Sequence, residues 1–197
     1  YAKERLQMRA LSGAKFPDKI ADPIIVHPDV RRLLLTQKAF AEGGRLLAYY
    51  TAFIADRAQR LRGDEQKDAE ELLSFLTPIC KAGLTEIALE SANCGVQVLG
   101  GHGYIAEWGM EQYVRDARIN MIYEGTNTIQ SLDLLGRKVL MDNGEKLHKF
   151  GEKIKSFVEE NGTDEAMSEF VTPLADIGDK ITKLSMEIGM KAFMNRD

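Results

Sequence analysis

The chain has 197 residues, enough for one domain or for one domain with an appendage; 44% are hydrophobic, an ordinary globular share, and 28% are charged, slightly above it. A net charge of −4 without a face-wide basic excess argues against nucleic-acid binding. No signal-peptide pattern and no uninterrupted apolar span stand out, so a soluble cytoplasmic or organelle-matrix protein without a membrane span is expected.

Tyr1 to Leu11 (YAKERLQMRAL) reads as the end of a basic helix, with Arg5 and Arg9 spaced i, i+4 on one face. Such a pair is usually solvated, and a phosphate site is the less common alternative. A chain that opens in helix-like sequence and stops at MNRD after another helical run reads as a piece of a longer polypeptide. Gly13, Pro17, Asp18, Asp22 and Pro23 make residues 12 to 26 a loop. Pro28 and Asp29 then open a long helix to about Arg62, since proline suits a first helical position. Its apolar stripe is Val30, Leu33, Leu34, Ala41, Leu47, Tyr50 and Ile54. Gly43 and Gly44 each cost about 1 kcal/mol relative to alanine, which close approach of another helix would explain.

Gly63 breaks that helix, and an acidic first turn starts the next, from Asp64 to Leu99, with Pro78 inside it. Ala88, Ser91, Ala92 and Gly95 give its second half a face that allows close backbone contact. Cys80 and Cys94 lie there as free thiols; their surroundings show no pairing or metal spacing, and no metal is assigned. Gly100-Gly101-His102-Gly103 is a helix stop, and not a dinucleotide fingerprint, because no strand precedes it. Trp108 to Met121 forms a short helix, with Arg115, Asp116 and Arg118 read as structural pairing. Glu124 and Gly125 follow at a helix–helix corner, with Thr126 as N-cap of a helix to Leu140 whose apolar face is Ile129, Leu132, Leu135 and Val139. Asp142-Asn143-Gly144 is a stop, and two amphipathic helices follow, from Glu145 to Asn161 and from Asp164 to Asn195. The fold class is all-α: an up-and-down four-helix bundle with additional C-terminal helices.

By spacing alone a carboxylate such as Glu124 beside a helix N-terminus is more often a complement to the macrodipole than a catalytic group. However, IYEGTNTIQ resembles the IYEGTxxIQ segment of the acyl-CoA dehydrogenases, in which this glutamate is the catalytic base. YAKERLQM is similar to that family's YAxERxxFG, VQVLGGHGY to its VQxxGGxGY/F, and the RDARI run also matches. The resemblance implies FAD as cofactor, with Arg5 and Gln7 reaching a neighbouring subunit's flavin diphosphate. It sets Gln97, Gly100 and Gly101 at the adenine end, His27 near the flavin, and Thr126 and Thr128 at flavin contacts after the base. Met8 and Arg9 stand where the family has Phe and Gly, and Thr128 where it has Gln. Tyr123 and Gly125 fall beside the substrate. His102 occupies a variable position and carries no assigned chemistry.

Residues 1 to 140 bear the specific motifs and are expected to form the family's C-terminal bundle. Residues 141 to 197 resemble only generically the extension of a longer subgroup that includes enzymes acting on 3-(methylthio)propionyl-CoA. The implied reaction is α,β-dehydrogenation of an acyl-CoA thioester. The implied partners are the acyl-CoA, an electron-transfer flavoprotein or similar acceptor, and further copies of the chain in a homodimer or homotetramer. Two rivals stand beside this: an inactive, oligomer-forming bundle, and an alkylation-response paralogue of the same fold. The second would want a basic C-terminal patch, whereas residues 145 to 197 mix both signs.

Overall fold

The computed structural model describes residues 1–194. Apart from one isolated antiparallel bridge between Leu6 and Pro23, the described residues contain no extended pairing. The helices follow the sequence closely where local chemistry sets the ends. Helix α1 spans Pro28–Arg60 and α2 spans Gly63–Leu99, passing through Pro78. The chain leaves α2 at Gly100, whose φ of +61° suits glycine. Helix α3 (Gly101–Tyr104) and a single 3-10 turn lead to α4 (Met110–Ile119). Helix α5 (Asn127–Leu132) runs straight into a π-helical segment, Asp133–Leu140. Helices α6 (Glu145–Asn161) and α7 (Ser168–Met194) complete the described chain; the expected end at Asn195 lies outside the described residues.

Two compact units divide this chain. One holds Tyr1–Tyr50 and Cys80–Asn127; the other holds Thr51–Ile79 and the chain from Thr128 on. In the first, Ala2, Leu33, Cys94 and Val98 form a core against which Ile24, Ile25, Val30 and Leu34 pack. The α1–α2 approach is close at Gly44, where a Cβ would stand 3.2 Å from both Leu84 and Ile87. Gly43 meets no such neighbour, so close approach explains only the second glycine of the pair. In the second unit, Ile54, Ala58 and Ala69 make the core with Leu72 and Leu73, and Phe75 packs on Phe150 with ring centroids 5.4 Å apart.

Several sequence expectations are corrected. Residues 1 to 11 are not helix: they form turns tied to the following loop, so Arg5 and Arg9 share no helical face. Ala41 and Tyr50 of the expected α1 stripe are exposed, while Leu33, Ile54 and Ala58 carry the burial. The π-helical segment takes its residues out of the 3.6 period. The face predicted after Thr126 is therefore split, with Val139 buried and Ile129 and Leu132 half exposed or more. Asp116 accepts a hydrogen bond from Gln112, and neither Arg115 nor Arg118 forms an ion pair among the described residues. Finally, α2 is the one helix among the described residues long and apolar enough, by length and composition, to cross a membrane. Part of it is nonetheless buried against protein, at Ala92, Cys94 and Val98.

Candidate functional site

The N-terminal segment is organised by one carboxylate. Asp22 has no solvent exposure and accepts hydrogen bonds from the N–H groups of Ala10 (2.9 Å), Lys15 (3.0 Å) and Phe16 (2.8 Å). Arg9 reaches it at 3.4 Å and also donates to the carbonyls of Phe16 and Lys19. Burial pushes the Asp22 carboxyl up, but the three N–H donors and the Arg9 guanidinium outweigh that, and its pKa lies below the ordinary carboxylate value. The backbone adds Gln7 N–H to Asp22 O, Asp22 N–H to Met8 O and Ile24 N–H to Arg5 O, each within 2.9 Å. Met8 takes a left-handed φ of +59° in this turn, at one of the positions where the chain departs from the family pattern.

The two arginines are thereby separated in role. Arg9 is consumed inside the loop, whereas Arg5 is exposed and has no ion-pair partner among the described residues. His27, just before α1, places Nε2 2.9 Å from the Gln7 carbonyl, so its ring supports the turn that presents Gln7. Across from them, the end of α2 contributes Gln97, and the break after it contributes Gly100 and Gly101. All six line one open cavity of about 850 Å³. They come from three segments far apart in sequence.

The wall made by α3 depends on Gly103. A Cβ there would lie 2.6 Å from the Val96 carbonyl oxygen and 2.8 Å from Val96 Cα, so only glycine lets this turn fold back on α2. Tyr1, His102 and Trp108 buttress the same wall, with Tyr1 Oη 3.2 Å from His102 Nδ1 and the His102 and Trp108 rings 4.8 Å apart. Neither Gly103 nor this aromatic trio was assigned from sequence. The GGHG run was the one available signal, and it does not say which glycine is sterically required.

Tyr123, Glu124, Gly125 and Thr126 form the α4–α5 corner; Thr128 lies in the first turn of α5. None of these five lines the cavity. Glu124 is exposed and left-handed at φ +54°, and Gly125 follows at +83°. Left-handed backbone is unfavourable for a residue with a side chain, and such residues concentrate at functional sites. Tyr123 Oη donates to Asn120 Oδ1 at 2.5 Å, and the corner closes through Asn127 N–H to Met121 O at 3.2 Å. Asn127 is a residue the sequence reading passed over. Its Oδ1 accepts from Lys81 Nζ (3.0 Å) and Thr85 Oγ1 (3.2 Å); its Nδ2 donates to Glu86 Oε1 (3.2 Å) and the Ala82 carbonyl (3.4 Å). Its partners lie 41 to 46 residues away on α2, which is why no local pattern reveals it.

Helices throughout the described residues, a left-handed glutamate–glycine corner and a glycine-edged cavity define a class before any particular relative. The family model for the C-terminal domain of acyl-CoA dehydrogenases matches residues 5–140, and the chain belongs to that family. It is 47% identical to 3-methylmercaptopropionyl-CoA dehydrogenase of Ruegeria pomeroyi over 78% of this chain and 26% of that protein. To the broad-specificity linear acyl-CoA dehydrogenase FadE5 of Mycobacterium tuberculosis it is 39% identical, over 81% of this chain and 26% of the relative. A butyryl-CoA dehydrogenase of Syntrophomonas wolfei is 35% identical over 86% of this chain and 28% of its own length. The chain thus spans about a quarter of the length of the curated relatives it matches. A solved chain, Bd2924 in its apo form, shares the fold with a TM-score of 0.62 over 86% of this chain and 35% of its own, at 22% identity.

Proposed function

We propose that this chain is the C-terminal helical part of a flavin-dependent acyl-CoA dehydrogenase in which Glu124 removes a proton from Cα of an acyl-CoA thioester. The supporting observation is the convergence of Arg5, Gln7, His27, Gln97, Gly100 and Gly101 on one cavity. Those six are among the eight residues that the family resemblance assigns to the flavin, the other two being Thr126 and Thr128. Their chemistry suits it: a guanidinium without a carboxylate partner for a diphosphate, two exposed amides, and a glycine pair at which an added Cβ would meet open space. FAD, when bound, accepts the hydride that leaves Cβ.

The remaining steps belong to the chain. The Glu124 carboxylate takes the Cα proton and becomes a neutral acid, so a site closed to water by the rest of the enzyme favours it as a base. Gly125 offers no side chain to obstruct the thioester, and Tyr123 flanks the acyl group. Thr126 and Thr128 supply hydroxyls to the flavin. The chain's acyl-CoA substrate, an electron-transfer flavoprotein or similar acceptor, and assembly as a homodimer or homotetramer follow from the same reading. So does the division into a bundle of residues 1–140 and a helical extension of residues 141–197.

The test is made on the full-length protein. A panel of acyl-CoAs should bleach the flavin absorption of the wild type. Glu124→Gln should retain FAD and bind acyl-CoA, with flavin reduction slowed by at least about 10²-fold. Near-normal reduction in a folded Glu124→Gln protein would remove the assignment.

A further inference from the structure

We infer that Asn127 is a positioning residue for Glu124: it fixes the strained corner that carries the base onto helix α2, and the rate of proton abstraction depends on it. The inference rests on the reading of Glu124 as the base.

The corner is short and conformationally expensive. Glu124 and Gly125 both sit at positive φ, and for a glutamate that conformation persists only where its surroundings impose it. Before Glu124 the chain is held by α4, through Ile122 N–H and Tyr123 N–H to the Ile119 carbonyl at 3.0 and 3.3 Å. After Glu124 the hold is Asn127. Its N–H closes the loop on Met121 O, and its side chain makes four hydrogen bonds to α2. The polarity of these partners is specific. Two donors, Lys81 Nζ and Thr85 Oγ1, face the amide oxygen; two acceptors, Glu86 Oε1 and Ala82 O, face the amide nitrogen. A carboxylate in place of the amide could satisfy the first pair, but would set an oxygen against Glu86 and the Ala82 carbonyl. An alanine satisfies neither pair. Helix α2 also contributes Gln97 to the cavity, so one rigid element within the first unit carries both the anchor of the base and part of the cavity wall. A base displaced by about 1 Å from its acceptor geometry loses on the order of 10²-fold in rate without losing substrate binding.

The experiment uses the full-length flavoprotein, with stopped-flow flavin reduction by saturating acyl-CoA, acyl-CoA affinity from spectral titration, and thermal unfolding. Asn127→Ala should slow reduction about 10- to 100-fold and leave the acyl-CoA Kd within about threefold. Asn127→Asp should not restore the rate. Unchanged reduction in Asn127→Ala beside a slow Glu124→Gln would overturn the inference and leave the base assignment standing. Near-normal rates in Glu124→Gln would overturn the base assignment itself. A fast Asn127→Asp enzyme would also refute the inference, because it would reduce the side-chain anchor to the contacts with Lys81 and Thr85. If Asn127→Ala cannot be isolated with its flavin, Lys81→Met decides: a several-fold slower reduction at unchanged Kd supports the inference, and a wild-type rate refutes it.

Discussion

Gly103→Ala is the sharpest test of how the cavity wall is built. The added methyl would meet the Val96 carbonyl oxygen at 2.6 Å, Val96 Cα at 2.8 Å and Leu99 Cβ at 3.0 Å. Two of these are backbone atoms in the last turns of α2, which cannot rotate away as a side-chain tip would. Overpacking of this kind costs about 1–3 kcal/mol, and backbone contacts put it near the top of that range. Replacing glycine by alanine returns about 0.5–1 kcal/mol through the unfolded chain. The net loss is about 2 kcal/mol, or roughly 4–8 °C in unfolding midpoint for a chain of this size. Trp108 is the single tryptophan and packs on His102, so its fluorescence during urea unfolding reports on this wall. Gly101→Ala is the control. Its Cβ would have nothing within 4 Å, so stability should change by less than about 0.5 kcal/mol. If Gly103→Ala is as mild as Gly101→Ala, the steric account of α3 is wrong.

Asp22 makes the N-terminal loop acid-sensitive. Its folded pKa lies below the unfolded value of 3.8, so its contribution is present above that value and lost as pH falls through the folded one. Asp22→Asn should lower stability at neutral pH and flatten its dependence below about pH 4; an unchanged acid limb in pH-resolved urea melts would refute this. In the second unit, Phe75 is buried and packs on Phe150, so Phe75→Ala should cost about 3–5 kcal/mol by the same melts. A loss below about 1 kcal/mol would refute the reading of Phe75 as a packed core side chain held under Phe150.

What the sequence revealed and what it concealed divide along the range of the interactions. Gly100 and Asp142-Asn143-Gly144 stop helices by local chemistry, and those ends fall where the residues say they should, whereas Gly63 opens α2, with two residues between it and the end of α1 at Arg60. Tyr1 to Leu11 has a helical composition, yet it folds as turns because a carboxylate 12 residues beyond Ala10 takes up its N–H group, and Asp22 holds Arg9 as well. The left-handed Glu124 is equally invisible in a string of letters, although its glycine neighbour marks a turn. The motif resemblance named the glutamate; it could not show that Asn127, three residues on, is gripped by a helix 41 to 46 positions earlier. Nor does any composition rule anticipate the π-helical phase of residues 133 to 140, which undid an otherwise regular apolar stripe.

The stacking of Phe75 on Phe150 bears on how the protein can be cut. The family match ends at Leu140, an inviting place for a stop codon or a protease site. A chain ended there would lose α6 and α7 but keep α2, and the Phe75 ring would be left facing solvent. Aromatic surface unroofed in this way favours aggregation over a clean monomer. The edge recognisable in sequence and the edge at which the molecule can be severed are therefore different places, and any shortened form should keep α6.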